Sequence, residues 1–361
     1  MWLSSLLKRQ LKNIKDFKVF SFQDFVKNAV LFPIDYFLKG GKSAYPMNIS
    51  WYSTMRCNLR CSFCYLRDVL NKPNKEMTFE EMKTLIEQVA KHKPSWYITG
   101  GEPLMRLDLV DIVREIKKHG MFVGISSNGT LLTKEKADAL ISAGLDYLSV
   151  SIDGGRETHD RVRGVRGAFD KAVNNLKYFC SRKTNTHVLI NCTISKDNLG
   201  QLDSLIEVAK QTGVDELAFQ HLSYLSDSEI QKPIGLNLVY HKDRMKPYRQ
   251  EIVDAIVQLR EKAKREGISV FFKPFLSDSE VFNWYSDDFS YNAKCFYPWR
   301  SLRLGSDGGV YPCPMILESF GNIRASSIEK VWNSREFISF RKELKKRGLF
   351  PECARCCKLF L

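Results

Sequence analysis

The chain has 361 residues, enough for one large domain with an accessory unit or for two ordinary domains. Its 44% hydrophobic and 12% aromatic content is that of a globular protein and excludes a disordered chain, and no uncharged apolar run is long enough for a membrane span. Fifty-five Lys and Arg against 41 Asp and Glu leave a formal charge of +14, which fits an acidic partner such as anionic lipid, a phosphorylated substrate or an acidic peptide, and fits a solubilising surface equally well. No nucleic-acid partner is expected. The ten cysteines fall in clusters near the two ends of the folded part, with only Cys180 and Cys192 between, which suits a reducing compartment better than a disulfide framework. Lys8 and Arg9 with no small-residue cleavage site argue against a secretory signal, so a cytoplasmic location is expected.

Residues 1–45 differ in texture from the rest. Trp2, Leu3, Leu6, Leu7, Leu11 and Ile14 recur near helical spacing beside Lys8, Arg9, Lys12, Lys15 and Lys18, the pattern of a basic amphipathic helix. An apolar stretch from Phe25 to Leu38, interrupted by Pro33, ends at Gly40-Gly41, which reads as a linker. Eight Lys or Arg against three Asp make this segment suited to an anionic membrane surface, so peripheral contact with the inner face of the membrane is one expectation; packing of the apolar face on the protein itself is the other.

From residue 46 strands alternate with helices. Strands are expected at Asn48–Tyr52, Trp96–Thr99, Phe122–Ser126, Tyr147–Ser151, His187–Thr193 and Glu216–Gln220. Between them, helices are expected from Thr78, whose hydroxyl and Glu81 form a capping box, to Lys91, and then at Asp108–His119, Lys134–Ala143, Ala168–Ser181 and Leu202–Gln211. Six such units predict an α/β fold, a partial (β/α)6 TIM-like barrel over 46–235, followed by a helical connecting region over 236–290 and a small cysteine-bearing domain over 291–361. The unusual residues fall just past the C-terminal ends of strands, where the loops of such a barrel converge.

The first of those loops holds Cys57, Cys61 and Cys64 within eight residues, so three thiolates can meet at one centre. Zinc sites usually close with four ligands, and no local fourth Cys or His is present, although a distant ligand could complete one. A cube of four irons on three cysteines instead leaves one iron open to a ligand. The C-x3-C-x2-C spacing resembles the signature of the radical SAM superfamily, with Phe63 where that family places an aromatic beside the adenine. The resemblance implies a radical SAM fold, a [4Fe-4S] cluster on Cys57, Cys61 and Cys64, and S-adenosylmethionine as cofactor. Gly100-Gly101-Glu102-Pro103 looks like the motif that holds the cofactor's amino group, and bare glycine backbone permits that approach. Ser127 and Asn128 stand at the rim where a ribose would bind. The stretch from Ser151 through Asp153, His159 and Asp160 to Arg163 resembles the corresponding loop of peptide-modifying and sulfatase-maturating members. Carried over, Ser151 and Arg163 contact the methionine or ribose part, Asp153 lies beside them, and Leu225 lies against the adenine.

Cys295, Cys313, Cys353, Cys356 and Cys357 form the second group. Their pattern resembles the twitch domain, a shortened relative of SPASM, and implies one auxiliary [4Fe-4S] cluster on Cys295, Cys313, Cys353 and Cys356, with Cys357 as the alternative to Cys356 and structural zinc as the alternative metal. The resemblance therefore implies an oxidoreductase or transferase that cleaves S-adenosylmethionine reductively to a 5′-deoxyadenosyl radical, abstracts hydrogen from a substrate, and uses the auxiliary cluster in the following oxidation or bond formation. A reductant such as flavodoxin or ferredoxin is the implied partner. A peptide-modifying maturase and a non-catalytic iron–sulfur or zinc protein are the rival readings.

Overall fold

The computed structural model of the chain describes residues 32–224, 245–287, 289, 294–350 and 353–356. Most of the N-terminal amphipathic stretch, Leu225 and Cys357 lie outside them. In chain order the elements are α1 (Phe32–Leu38), β1 (Asn48–Thr54), α2 (Phe79–Val89), β2 (Ser95–Gly100), α3 (Leu109–Lys118), β3 (Val123–Ser127), α4 (Lys134–Ser142), β4 (Tyr147–Ser151), α5 (Arg156–Arg163), α6 (Ala168–Arg182), β5 (His187–Ile194), α7 (Ser204–Thr212) and β6 (Glu216–His221). Then come α8 (Arg249–Glu266), β7 (Val270–Lys273), α9 (Asp278–Trp284), α10 (Tyr297–Arg300), β8 (Ser301–Leu304), β9 (Val310–Tyr311), α11 (Ile328–Trp332) and α12 (Arg335–Arg347).

One nine-stranded sheet, ordered β7-β6-β5-β4-β3-β2-β1-β8-β9, carries the fold. Every pairing from β7 to β8 is parallel, as βαβ crossovers require, and only the β8–β9 hairpin is antiparallel. The six expected strand–helix units are present, and two strands extend them. β7 arises in the stretch expected to be helical: four residues after an 18-residue helix give too short a pattern to read, and pairing with β6 defines the strand. β8 belongs in sequence to the C-terminal cysteine region but pairs with β1, so that region continues the barrel sheet.

Alternation sorts the two faces of the sheet. Ile49 and Trp51 of β1, Trp96 and Ile98 of β2, Leu148 and Val150 of β4, and Leu302 and Leu304 of β8 are all buried against the helices in one large core. Tyr52, Ser126, Ser151 and Arg303 consequently lie on the opposite face, toward the C-terminal ends of their strands; this face is open at Ser126 and Ser151 and covered at Tyr52 and Arg303. Cys192 is fully buried in the helix-side core, and Cys180 packs against it, as expected of core residues.

The Gly40-Gly41 pair is not a loose linker. A Cβ at Gly41, where φ is +90°, would lie 2.9 Å from the Ile338 carbonyl, and the Gly41 carbonyl accepts from Nη1 of buried Arg341 at 3.2 Å. α1 just before it packs Phe32 and Tyr36 edge-to-face against Phe296, and Tyr36 likewise against Trp299, so this part of the N-terminal segment docks on the C-terminal region. The sequence could not show this, because the partners are more than 250 residues away.

Arg324 joins the C-terminal region to the start of α2. It grips Glu81 through Nε at 2.6 Å and Nη2 at 3.0 Å while also donating to the Lys75, Glu76 and Asp307 carbonyls. Arg324 and the Thr78 cap hold the Glu81 carboxyl down to about 2, against its ordinary 4.5. The contribution is therefore complete above about 4.5 and disappears as pH falls toward about 2. Glu81 and Arg324 side chains are 35% and 26% exposed, so solvent screening keeps the pair near ~1 kcal/mol. Glu81→Gln should lower the thermal midpoint at neutral pH, and the difference from the parent protein should shrink in melts run at progressively more acid pH; a difference independent of pH would refute the assignment.

Candidate active site

The cysteine loop leaves β1 and is clamped to three neighbouring loops. The Gly101 and Glu102 N–H groups donate to the Thr54 and Arg56 carbonyls, each at 2.8 Å. A Cβ at Gly101 would stand 2.1 Å from the Arg56 oxygen, and one at Gly100, where φ is +117°, 2.7 Å from the Thr54 oxygen, so glycine at both positions is what lets the two loops touch. From the loop after β3, Asn128 donates Nδ2 to Asn58 at 2.9 Å, and Asn58 donates Nδ2 to Thr130 at 2.8 Å. At the end of α5, the Arg163 and Val162 carbonyls accept the N–H groups of Arg60 and Ser62 at 3.0 and 2.8 Å.

Glu102 lies under this assembly, 1% exposed. Its carboxylate accepts from Ser127 Oγ at 2.7 Å, Asn128 N–H at 2.7 Å and Leu104 N–H at 3.0 Å. Burial raises its pKa while those donors oppose the rise. Ser127 is thereby committed to Glu102, and the side-chain Oδ1 of Asn128 accepts from both the N–H and the hydroxyl of Thr130. The hydroxyl left exposed at this rim belongs to Ser126, one residue earlier and on the open face, a position that strand alternation could have revealed.

Arg163 lies on helix α5, where the sequence suggested a loop. Its Nε meets the fully buried Asp153 carboxylate at 2.6 Å, its Nη1 is 3.6 Å from Cys61 Sγ, and its guanidinium is 5.4 Å from the centre of the Phe63 ring. Asp153 also accepts from Thr193 N–H at 2.9 Å, and the Asp153 N–H donates to Nδ1 of buried His159 at 3.2 Å. Burial holds His159 down at about 4, so its ring is neutral at ordinary pH. Asp153, His159 and Arg163 thus form one buried unit that delivers a cation to the cysteine loop. Ser151 closes β4 on the same face, half-buried.

Cys57, Cys61 and Cys64 are half-buried free thiols. Burial pushes Cys57 up to about 11, with Glu102, Cys61 and Cys64 adding to the rise; burial also raises Cys64, opposed by Arg163 and Arg67. Among the described residues no three Cys, His, Asp or Glu close on a point as a single ion would require. A four-iron cube holds its thiolates at separate corners, so three free thiols on one short loop, with a guanidinium beside them to favour thiolate, are a donor set of the right kind. The C-terminal group forms a second set. Burial first, then the neighbouring Tyr52, Cys313 and Cys356, push Tyr297 up, Cys313 adds to the effect of burial on Cys295, and the Cys356 N–H donates to the Cys353 carbonyl at 3.2 Å. Burial raises Cys295, up to about 12, and Cys313, so any metal bound here must displace protons.

The close approach at Gly101 yields a test. Gly101→Ala should displace the cysteine loop, costing upward of ~2 kcal/mol and lowering iron uptake, whereas Gly200→Ala, where a Cβ meets nothing within 4 Å, should change neither. Normal iron content and melting in the Gly101 variant would show that the contact does not position the loop.

Comparison with known proteins agrees with this geometry. A family model for the radical SAM superfamily matches residues 51–209, and one for an iron–sulfur cluster-binding domain, SPASM, matches 295–357. The chain is similar to the AdoMet-dependent heme synthase of Methanosarcina barkeri, at 31% identity over 86% of this chain and 88% of that one. It is also similar to the Fe-coproporphyrin III synthase of the same organism, at 33% over 85% and 80%. Streptococcus suis SuiB bound to S-adenosylmethionine shares the fold, with a TM-score of 0.64 at 15% identity over 94% of this chain and 78% of that one. The chain therefore belongs to the radical SAM superfamily, as an enzyme with a C-terminal SPASM domain whose cofactors are [4Fe-4S] clusters and S-adenosylmethionine.

Proposed function

We propose that this chain abstracts hydrogen from a carboxylate-bearing tetrapyrrole seated over the open face of the sheet, and completes an oxidation or bond formation there. The observation that carries the reading is the clamping of the Cys57–Cys64 loop, in one place, to the loops after β2 and β3 and to α5. When bound, a cluster held by Cys57, Cys61 and Cys64 would supply the single electron for reductive cleavage of S-adenosylmethionine. The chain's residues supply the rest. Arg163, fixed by Asp153, places positive charge beside the Cys61 sulfur. Gly100 and Gly101 give the cofactor close access to backbone; Ser126 and Ser151 offer open-face hydroxyls, and Phe63 an apolar surface for the adenine. Glu102, Ser127 and Asn128 act beneath them as braces. Cys295, Cys313, Cys353 and Cys356 would hold the auxiliary cluster.

The tetrapyrrole class is supported by two relatives at 31% and 33% identity, over 86% and 85% of the chain, and by its charge of +14. A peptide substrate is the second reading, favoured by the stretch from Ser151 to Arg163. The reductant we infer is an acidic flavodoxin or ferredoxin, because Arg56, Arg60, Arg67, Lys72 and Lys75 are all exposed around the cysteine loop.

Anaerobic reconstitution should give about eight irons per chain, falling to about four in the Cys57→Ala/Cys61→Ala/Cys64→Ala variant. The unaltered protein should cleave S-adenosylmethionine with dithionite at any salt, but with flavodoxin only at low ionic strength, and should turn over an iron–coproporphyrin. Replacing Cys353 and Cys356 should spare cleavage and abolish turnover. Absence of cleavage would refute the enzyme reading, and turnover of a peptide alone would refute the tetrapyrrole.

We also propose peripheral contact with anionic membrane. Ile34, Phe37 and Leu38 are exposed on α1, which follows the basic segment described above. The full-length chain should float with anionic vesicles at low salt while a form beginning at Phe32 should not, and equal recovery of both in the unbound fraction would refute the contact.

A further inference from the structure

Arg303 on β8 is 4% exposed, and no carboxylate pairs with it among the described residues. Its guanidinium lies 3.6 Å from the ring centre of Tyr311 and 5.0 Å from that of Tyr52. Nη1 donates to the Pro314 carbonyl at 3.1 Å, and Nε has no acceptor among the described residues. Two aromatic faces offset part of the cost of burying this cation, but a guanidinium out of water ordinarily demands an anion.

Its position indicates which anion. Pro314 directly follows Cys313, so Nη1 is fixed to the peptide next to a cysteine of the C-terminal set. On the other side, the Tyr52 hydroxyl lies 2.7 Å from that of Tyr65, which directly follows Cys64. Arg303 is thus a buried cation beside Cys313, tied by hydrogen bond to the residue that follows it.

We propose that Arg303 is the built-in counter-charge of the auxiliary centre, a positioning residue that stabilises its reduced form and so sets its potential. The proposal rests on the reading of Cys295, Cys313, Cys353 and Cys356 as that centre's ligands. A four-iron cluster on four thiolates is a net anion, more so when reduced, and a cation held beside it in a region of low dielectric favours the reduced state.

The experiment is an EPR-monitored redox titration of full-length Arg303→Lys and Arg303→Gln proteins, in the unaltered chain and in the Cys57→Ala/Cys61→Ala/Cys64→Ala background, with iron and zinc measured on each sample. The glutamine variant should titrate at a more negative potential than the parent, and the lysine variant close to the parent. Loss of auxiliary iron in the glutamine variant alone would also support the charge role. Parental potentials in both variants, or equal damage in both, would overturn it. A raised KM for substrate in the glutamine variant with an unmoved potential would assign Arg303 to a substrate carboxylate and overturn it as well. Zinc, or no metal, at the C-terminal set in both backgrounds would remove the auxiliary-cluster reading and this proposal with it, while leaving S-adenosylmethionine cleavage as a separate observation.

Discussion

The carboxylate of Glu102, buried beneath donors from Leu104, Ser127 and Asn128, fixes the loops after β2 and β3 to each other, and its own N–H reaches the Arg56 carbonyl beside the first cysteine. Three donors to one carboxylate offset the cost of removing it from water, and they do so only if both loops hold one geometry. The cysteine loop inherits that geometry through Gly100 and Gly101, which leave no room for a side chain. A motif that reads as a cofactor contact is therefore also the frame on which the cysteine loop is built.

A second buried carboxylate does the corresponding work across the sheet. Asp153 holds Arg163 and accepts the Thr193 N–H of β5, so the cation beside Cys61 is fixed from two strands at once. Gly164 completes the contact: a Cβ there would lie 2.6 Å from the Arg60 carbonyl. The two carboxylates brace the same loop from opposite sides. Preorganisation of this kind suits a site that must hold a reactive radical away from water and from its own side chains.

The C-terminal region is joined to the barrel by more than a tether. β8 extends the sheet beside β1, Arg324 grips Glu81 and the chain leading to α2, and Arg341 holds the turn after α1. Together they dock the C-terminal region on the barrel at three separate places. Arg303, on the strand that pairs with β1, lies over Tyr52 of β1 and donates to Pro314 of the C-terminal region.

Much was legible in the sequence because it depended on local order. Period-two and period-3.6 patterns located six strand–helix units, the Thr78–Glu81 capping box appears as expected, and the motif at Cys57, Cys61 and Cys64 pointed to the superfamily that the comparisons show. Local pattern could not decide three things. β7 and β8, at four residues each, exist as strands because β6 and β1 offer unpaired edges. The Gly40-Gly41 turn is packed because α12 passes over it, and Ser127 and Asn128 are braces because Glu102 comes up beneath them. Arg303 reads as one charge in a short apolar strand; its importance depends on Tyr52 and Pro314 lying on either side. The sequence by itself determined which chemistry the chain carries, since ligand types and spacings are local, whereas the tertiary structure decided which side chains remain free to perform it, since that depends on partners far away along the chain.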